Sequence, residues 1–163
     1  MSTRPEMPAR RTVLAALLLV LPMLVSASPS SEVDLLLARS EPPPGVLFEV
    51  VSGDETVLER ILPVVRQHAA RLRERFPSLA VALITHGSEQ FSLLSENRSR
   101  YASVHELVAA FEGEDEIPVH VCGNHASWRD KGKQDFPDYV DVASSASDRI
   151  RRYREAGFVV IVF

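Results

Sequence analysis

Residues 79–84 read Leu-Ala-Val-Ala-Leu-Ile, and every side chain in this stretch is apolar. Such a run indicates a strand covered on both faces, because a strand open to water on one side alternates polar with apolar residues. Largely apolar runs recur at 46–51, 117–121 and 158–163, and a shorter, less apolar one lies at 139–143. Helical segments separate them. The pattern therefore predicts an α/β fold with a mainly parallel sheet between helix layers.

The intervening segments carry helix signals. Apolar residues recur at spacings of three and four from 58 to 76, with Asp54 as a candidate N-cap. Pro63 falls inside this pattern and is expected to kink or split the helix, because proline lacks the amide hydrogen that the helix needs there. Residues 103–106 and 145–148 have the form of capping boxes and predict two further helix starts.

The N-terminus has the features of a secretory signal peptide. Arg4, Arg10 and Arg11 precede an apolar stretch at 13–25, and small residues at 26–27 suit a cleavage site. The stretch is shorter than the roughly 20 residues that a membrane-spanning helix needs. We therefore expect a cleaved signal at 1–27, a periplasmic location and no stable membrane insertion afterwards. An uncleaved anchor is the alternative, and the arginine pair also suits twin-arginine export.

The mature chain is expected to consist of a short arm and one domain. Residues 28–44 end in three consecutive prolines and are interpreted as a linker or arm, with a possible short helix at 33–37. The domain then covers 45–163. Without the signal, 15 basic and 21 acidic residues remain, a net charge of −6. This acidity argues against binding to nucleic acid or to an anionic membrane surface.

Cys122 is the only cysteine, whereas exported proteins usually carry paired cysteines. It follows the third predicted strand, and ligands of parallel sheets bind outside the carboxyl ends of the strands. Backbone N–H groups at the turn that begins with Gly123 would favour the thiolate form. The alternatives are a buried apolar filler, a chain-to-chain disulfide or a bound ligand.

Three histidines are candidate partners of this cysteine. His86 follows the second strand, His120 shares a strand face with Cys122, and His125 lies three residues beyond it. A histidine can act as a base or stabilise a thiolate, and cysteine with histidines can bind copper or zinc. The sequence contains no glycine-rich phosphate loop, serine nucleophile elbow or paired CxxC cysteines, so phosphoryl transfer, hydride transfer and dithiol cycling lack support.

The strand ending in His-Gly at 81–87, the strand and Cys-Gly-Asn turn at 119–124, and the final helix, glycine and strand at 150–160 occur in a characteristic order. In these motifs the chain from residue 45 onward resembles the DsrE/DsrF-like (YchN-like) family of sulfur-relay proteins. The resemblance implies a three-layer α/β/α sandwich on a five-stranded parallel sheet and homo-oligomers, commonly trimers or hexamers. It also implies that Cys122 accepts a persulfide; His86 belongs to the family pattern.

These observations predict a periplasmic sulfur carrier or sulfurtransferase-like protein. The Cys122 thiolate would take sulfane sulfur from a protein or small sulfur compound, hold it as a persulfide and deliver it to an acceptor, assisted by His86 or His125. No cofactor is expected. The alternatives are a copper- or zinc-binding module built on Cys122 and nearby histidines, and a non-catalytic oligomeric protein in which the cysteine only fills space.

Overall fold

A single sheet of five parallel strands organises the part of the chain that the computed structural model describes, residues 28–163. The strand order is β4-β3-β2-β1-β5. The strands are β1 (Gly45–Val50), β2 (Ala80–Thr85), β3 (Val119–Cys122), β4 (Asp141–Ala143) and β5 (Val159–Val162). The predicted parallel sheet is confirmed, and all four pairings are parallel.

Within the described residues, five α-helices flank the sheet: α1 (Pro29–Leu37), α2 (Leu58–Arg75), α3 (Ala102–Gly113), α4 (Gly123–Ser127) and α5 (Ala146–Glu155). A 3₁₀ helix at Ser88–Leu93 follows β2. Shorter 3₁₀ turns lie at Ser95–Asn97 and Lys133–Asp135. The α/β/α layering is also confirmed, because helices cover both faces of the sheet.

The two faces of the sheet are covered unequally. Side chains such as Phe48, Leu83 and Val121 join a large apolar core with α1, α2 and α3. The opposite face carries Leu47 and Ile84, which pack in a much smaller cluster beneath α5 alone. Alternation of side chains along each strand produces this division. The thinly covered face is the one on which Cys122 lies.

Three details of the helix predictions differ from the structure. Helix α2 is not split at Pro63, which is an exposed residue of the helix. Its N-cap is Val57; Asp54 instead accepts hydrogen bonds from Thr56 in the preceding turn. Helix α3 begins after Tyr101 without a side-chain cap, so the predicted capping box at 103–106 lies inside the helix.

The last helix begins and ends as the sequence indicates. Ser145 caps α5 by accepting a hydrogen bond from the amide of Asp148 at 3.4 Å. Gly157 follows the helix with φ of 84°, a backbone conformation that residues other than glycine rarely adopt. Helix α4 (Gly123–Ser127) follows Cys122 directly.

The arm at 28–44 contains a helix that packs on the domain. Val33 and Leu36 of α1 are buried against the large core, and Asp34 forms a 2.8 Å ion pair with Arg71 of α2. The predicted signal peptide at 1–27 lies outside the described residues. Within 28–163, no helix combines the length and apolar character needed to cross a membrane.

Candidate functional site

A cleft of about 420 Å³ opens at the carboxyl edge of the sheet, between α5 and the segment that contains α4. This is the edge at which parallel α/β sheets bind ligands. The three residues that the sequence singled out all line it: Cys122 from the end of β3, His86 from the end of β2 and His125 from α4. Glu49, Trp128 and Arg154 also line the cleft.

Cys122 lies at the base of this cleft with 8% of its surface exposed. It is the last residue of β3 and the N-cap of α4. Its Sγ accepts a hydrogen bond from the backbone N–H of His125 at 3.4 Å. Such a donor favours a sulfur atom that carries negative charge over a neutral thiol. The thiol is therefore shielded, yet it faces a cavity that a small group can enter.

His125 is held in one tautomer by a backbone group. Its Nδ1 lies 2.8 Å from the carbonyl oxygen of His86. A carbonyl only accepts hydrogen bonds, so Nδ1 carries the proton and the neutral ring presents a lone pair at Nε2. The ring also packs edge-on against Phe91 and Trp128, with ring centroids 5.2 and 5.0 Å away. These contacts leave Nε2 as the basic atom of this residue.

His86 is paired with an acidic residue that sequence reasoning missed. Its Nε2 lies 2.9 Å from Oε1 of Glu49, and both side chains are largely buried. The carboxylate accepts from Nε2, which leaves Nδ1 of a neutral ring without a proton. A signal was present in the sequence: Glu49 is the one charged residue in the otherwise apolar run 46–51.

A second buried carboxylate, Glu89, shapes the turn that carries His86. Its Oε1 accepts hydrogen bonds from the amides of His86 and Gly87, at 3.1 and 2.8 Å, and from the Thr85 hydroxyl. Its Oε2 accepts from the amide of Ser52 at 2.7 Å. The side chain is fully buried, and these donors compensate for its loss of water. Glu89 thereby ties the ends of β1 and β2 together.

Gly87 is required by the close packing of this turn. A Cβ atom built on Gly87 would lie 2.3 Å from both the Ser52 carbonyl oxygen and Oε2 of Glu89. The Ser52 contact is with backbone, so a side chain could be accommodated only if the chain moved. The glycine of the His-Gly pair therefore lets the two strand ends approach each other.

His120 does not join the cleft, although it lies on the same strand face as Cys122. Its Nδ1 bonds Asp141 at 2.8 Å and its Nε2 bonds the Tyr153 hydroxyl at 2.8 Å beneath α5. Burial lowers the pKa of His120, and the hydrogen bond that the ring donates to Asp141 only partly opposes this effect. With both ring nitrogens occupied, His120 is a structural residue that connects β3, β4 and α5.

A larger groove of about 800 Å³ lies elsewhere, near the amino ends of β3 and β4. It is lined by Pro118, His120, Asp141 and residues of the 133–140 segment, and it contains none of the cleft residues named above. In the described part of the chain, no group of three or more histidine, cysteine or acidic side chains is placed to hold a metal ion. The metal-binding alternative therefore finds no preformed ligand set within residues 28–163.

Fold and site together define a class: a five-stranded parallel α/β protein with a cysteine in a crevice at the carboxyl edge of its sheet. Among solved structures, the chain is similar to the protein of unknown function MTH1491 from Methanobacterium thermoautotrophicum. The TM-score is 0.56 at 22% identity, covering 72% of this chain and 97% of the other. It is also similar to the ychN protein from E. coli, with a TM-score of 0.51 at 18% identity.

The ychN match covers 73% of this chain and 99% of the other. Both neighbours belong to the DsrE/YchN fold family, and the likeness shows that this chain has the same fold. No family model and no curated protein matches the sequence. The comparisons thus bear out the fold that the sequence motifs implied, while activity has to be argued from the cleft.

Proposed function

We propose that this protein is a sulfur carrier that holds sulfane sulfur as a persulfide on Cys122. One observation carries the proposal: the only cysteine lies at the base of a cleft, its Sγ accepts a backbone N–H, and two histidines line the same cleft. A cysteine that merely filled space would need neither the cavity nor the donor. The similarity to the DsrE/DsrF-like family supports the same chemistry.

The transfer reaction balances without an added oxidant. The Cys122 thiolate attacks the terminal sulfur of a donor persulfide, R–S–SH. The S–S bond of the donor breaks, its electron pair leaves with R–S⁻, and a new S–S bond forms on Cys122. R–S⁻ takes up the proton that the Cys122 thiol lost, so the products are the persulfide of Cys122 and R–SH. Transfer to an acceptor thiol repeats these steps with Cys122 as donor.

The two histidines have separable roles in this proposal. In this proposal His125, which lines the cleft with Cys122 and carries a lone pair at Nε2, takes the thiol proton. His86, held by Glu49, contributes a second basic nitrogen to the same cleft. Arg154 lines the same cleft and offers a positive charge to an anionic donor or to the bound persulfide.

Intact mass spectrometry tests the central claim. Purified protein is incubated with inorganic polysulfide, freed of excess reagent and weighed before and after reduction. We expect an added mass of whole sulfur atoms that reductant removes and that Cys122→Ser does not acquire. His125→Gln should load more slowly but to the same extent. If native Cys122 stays bare while the urea-unfolded chain is modified, the cysteine is a packing residue and the proposal fails.

We further propose that the protein works in the periplasm as a homo-oligomer, a trimer or a hexamer. The signal-like sequence at 1–27 supports export, and the family resemblance supports self-association. Protein recovered from the periplasm should begin at Ser28, which the same mass measurement reads directly. Native mass spectrometry should show a multiple of three chains. A retained N-terminus would contradict cleavage, and a monomer would contradict the proposed assembly.

A further inference from the structure

We infer that Gln90 is the positioning residue of Cys122: its carboxamide holds the cysteine backbone so that Sγ meets the His125 N–H. The inference deepens the proposed function and rests on it for the role of the thiol. Gln90 is not among the residues that line the cleft, and it takes no part in the transfer itself. It acts through the peptide groups of Cys122.

The contact is bidentate. Oε1 of Gln90 accepts from the amide of Cys122 at 2.8 Å, and its Nε2 donates to the carbonyl of Cys122 at 3.3 Å. The β2–β3 register ends at Thr85 opposite Val121, one residue before the cysteine. Gln90 therefore supplies at Cys122 the pair of hydrogen bonds that a neighbouring strand supplies elsewhere in a sheet.

Burial makes this contact consequential. Gln90 is fully buried, so a side chain unable to replace either bond would leave a polar group of Cys122 unsatisfied in the interior. The same peptide leads directly into α4, whose N-cap is Cys122 itself. Rotation of this peptide would move Sγ relative to the His125 N–H, which lies only three residues farther along the chain.

The residue before Gln90 holds the end of the neighbouring strand β2. Glu89 binds the amides of His86 and Gly87, while Gln90 binds the peptide of Cys122. Both belong to the 3₁₀ helix Ser88–Leu93, which is buried from Glu89 to Leu93. One rigid turn thus sets the separation between the strand end that carries His86 and the strand end that carries Cys122.

The test measures alkylation of native Cys122 by iodoacetamide from about pH 6 to about pH 9, where the thiolate is the reacting form. Gln90→Met keeps the length of the side chain but can replace neither bond. We expect the rate constant to fall by about tenfold, the loss of one hydrogen bond to a charged sulfur. Gln67→Met, on the exposed side of α2, is the matched control and should react like the native protein.

A conservative variant provides a rescue that a merely structural role would not show. In Gln90→Glu a protonated carboxyl can accept from the Cys122 amide and donate to its carbonyl, whereas a carboxylate cannot donate. Its rate relative to native protein should therefore approach one as the pH falls and drop as the pH rises. The rate of Gln90→Met relative to native protein should show no such recovery toward acid.

Unchanged or faster alkylation of Gln90→Met, with a lower free energy of unfolding, would assign Gln90 a purely structural role and overturn the inference. Urea unfolding of each variant separates these outcomes. The alkylation assay uses no sulfur donor. A native protein that fails to load sulfur would therefore defeat the proposed function while leaving this measurement, and the positioning role of Gln90, intact.

Discussion

The two faces of the sheet differ in what they bury. The face under α1, α2 and α3 is packed almost wholly with apolar side chains, among them Phe48 and Phe111, which are fully buried. The face under α5 carries a small apolar cluster, a hydrogen-bonded histidine at 120 and the open cleft. Stability therefore depends mainly on the face under α1, α2 and α3, and the chemistry on the face under α5. Substitutions on the two faces should affect different properties of the protein.

The largest expected effect is on the packed face. Phe48→Ala should lower the free energy of unfolding by about 3–5 kcal/mol, because it removes a buried ring and leaves a cavity. Cys122→Ala on the other face should lower it by only about 1 kcal/mol, since one small atom is lost. Urea unfolding of both variants measures the difference. Similar losses in the two variants would show that the faces do not differ in this way.

Tyr153→Phe tests the polar connection beneath α5. The change removes the hydroxyl that bonds Nε2 of buried His120 and should lower the free energy of unfolding by about 1–3 kcal/mol. Sulfur loading of Cys122 should be unaffected, because neither residue lines the cleft. A variant that unfolds normally but loads slowly would place this hydrogen-bonded chain in the chemistry instead.

His68 of α2 is a buried polar side chain on the packed face. Within residues 28–163 neither of its ring nitrogens has a hydrogen-bond partner, and the ring packs against Phe48 and Phe163, with ring centroids 6.4 Å from each. Burial lowers the pKa of His68 from its ordinary value of 6.5; the Arg71 charge adds to this effect and Asp34 opposes it. The native state therefore favours the neutral ring.

The free energy of unfolding depends on pH because the unfolded and the native chain differ in proton uptake at His68. Below pH 6.5 the unfolded chain binds a proton at this histidine more readily than the native protein does, so the free energy of unfolding falls as the pH falls. In His68→Leu the free energy of unfolding should fall less steeply toward acid pH, while its value at neutral pH is kept. The lowered pKa values of His105 and His120 leave a residual slope. Urea unfolding at several pH values measures this difference. An equal decrease of the free energy of unfolding toward acid pH in the native protein and in His68→Leu would contradict the role of His68.

The smallest effect on stability is expected at the rim of the cleft. Trp128 is 75% exposed, so Trp128→Ala should change the free energy of unfolding by no more than about 0.5 kcal/mol. Its loss should widen the entrance and speed the reaction of Cys122 with a bulky maleimide more than with iodoacetamide. Equal changes with both reagents would mean that the indole does not limit access to the cleft.

Much of the fold was predictable because short stretches of the sequence indicate where the strands and helices lie. Apolar runs such as 79–84 indicate strands buried on both faces, and Gly157 marks the end of the last helix. The predicted capping box at 103–106 was wrong because the chain enters α3 earlier, through Tyr101, whose side chain is buried in the core. Tertiary packing there outweighed a local capping preference worth about 1 kcal/mol.

The candidate site was predictable in part. Cys122, His86 and His125 were placed at strand ends by sequence, and the structure brings all three to one cleft. His120 was wrongly grouped with them: strand alternation puts it on the correct face, but Asp141 and Tyr153 hold its ring away from the cleft. Glu89 and Gln90 follow the turn after the second predicted strand, and nothing in the local sequence shows that both side chains are buried.

The sequence by itself determined a parallel α/β domain with a lone cysteine at the carboxyl end of a strand. The hydrophobic periodicity of each segment, and the alternation of strands with helices along the chain, can be recognised in the local sequence. Only the tertiary structure decided which groups surround that cysteine. Gln90 meets a residue 32 positions away, and His86 meets Glu49 37 positions away. Such contacts depend on strand register and on the compensation of buried polar groups, which arise only when distant segments pack together.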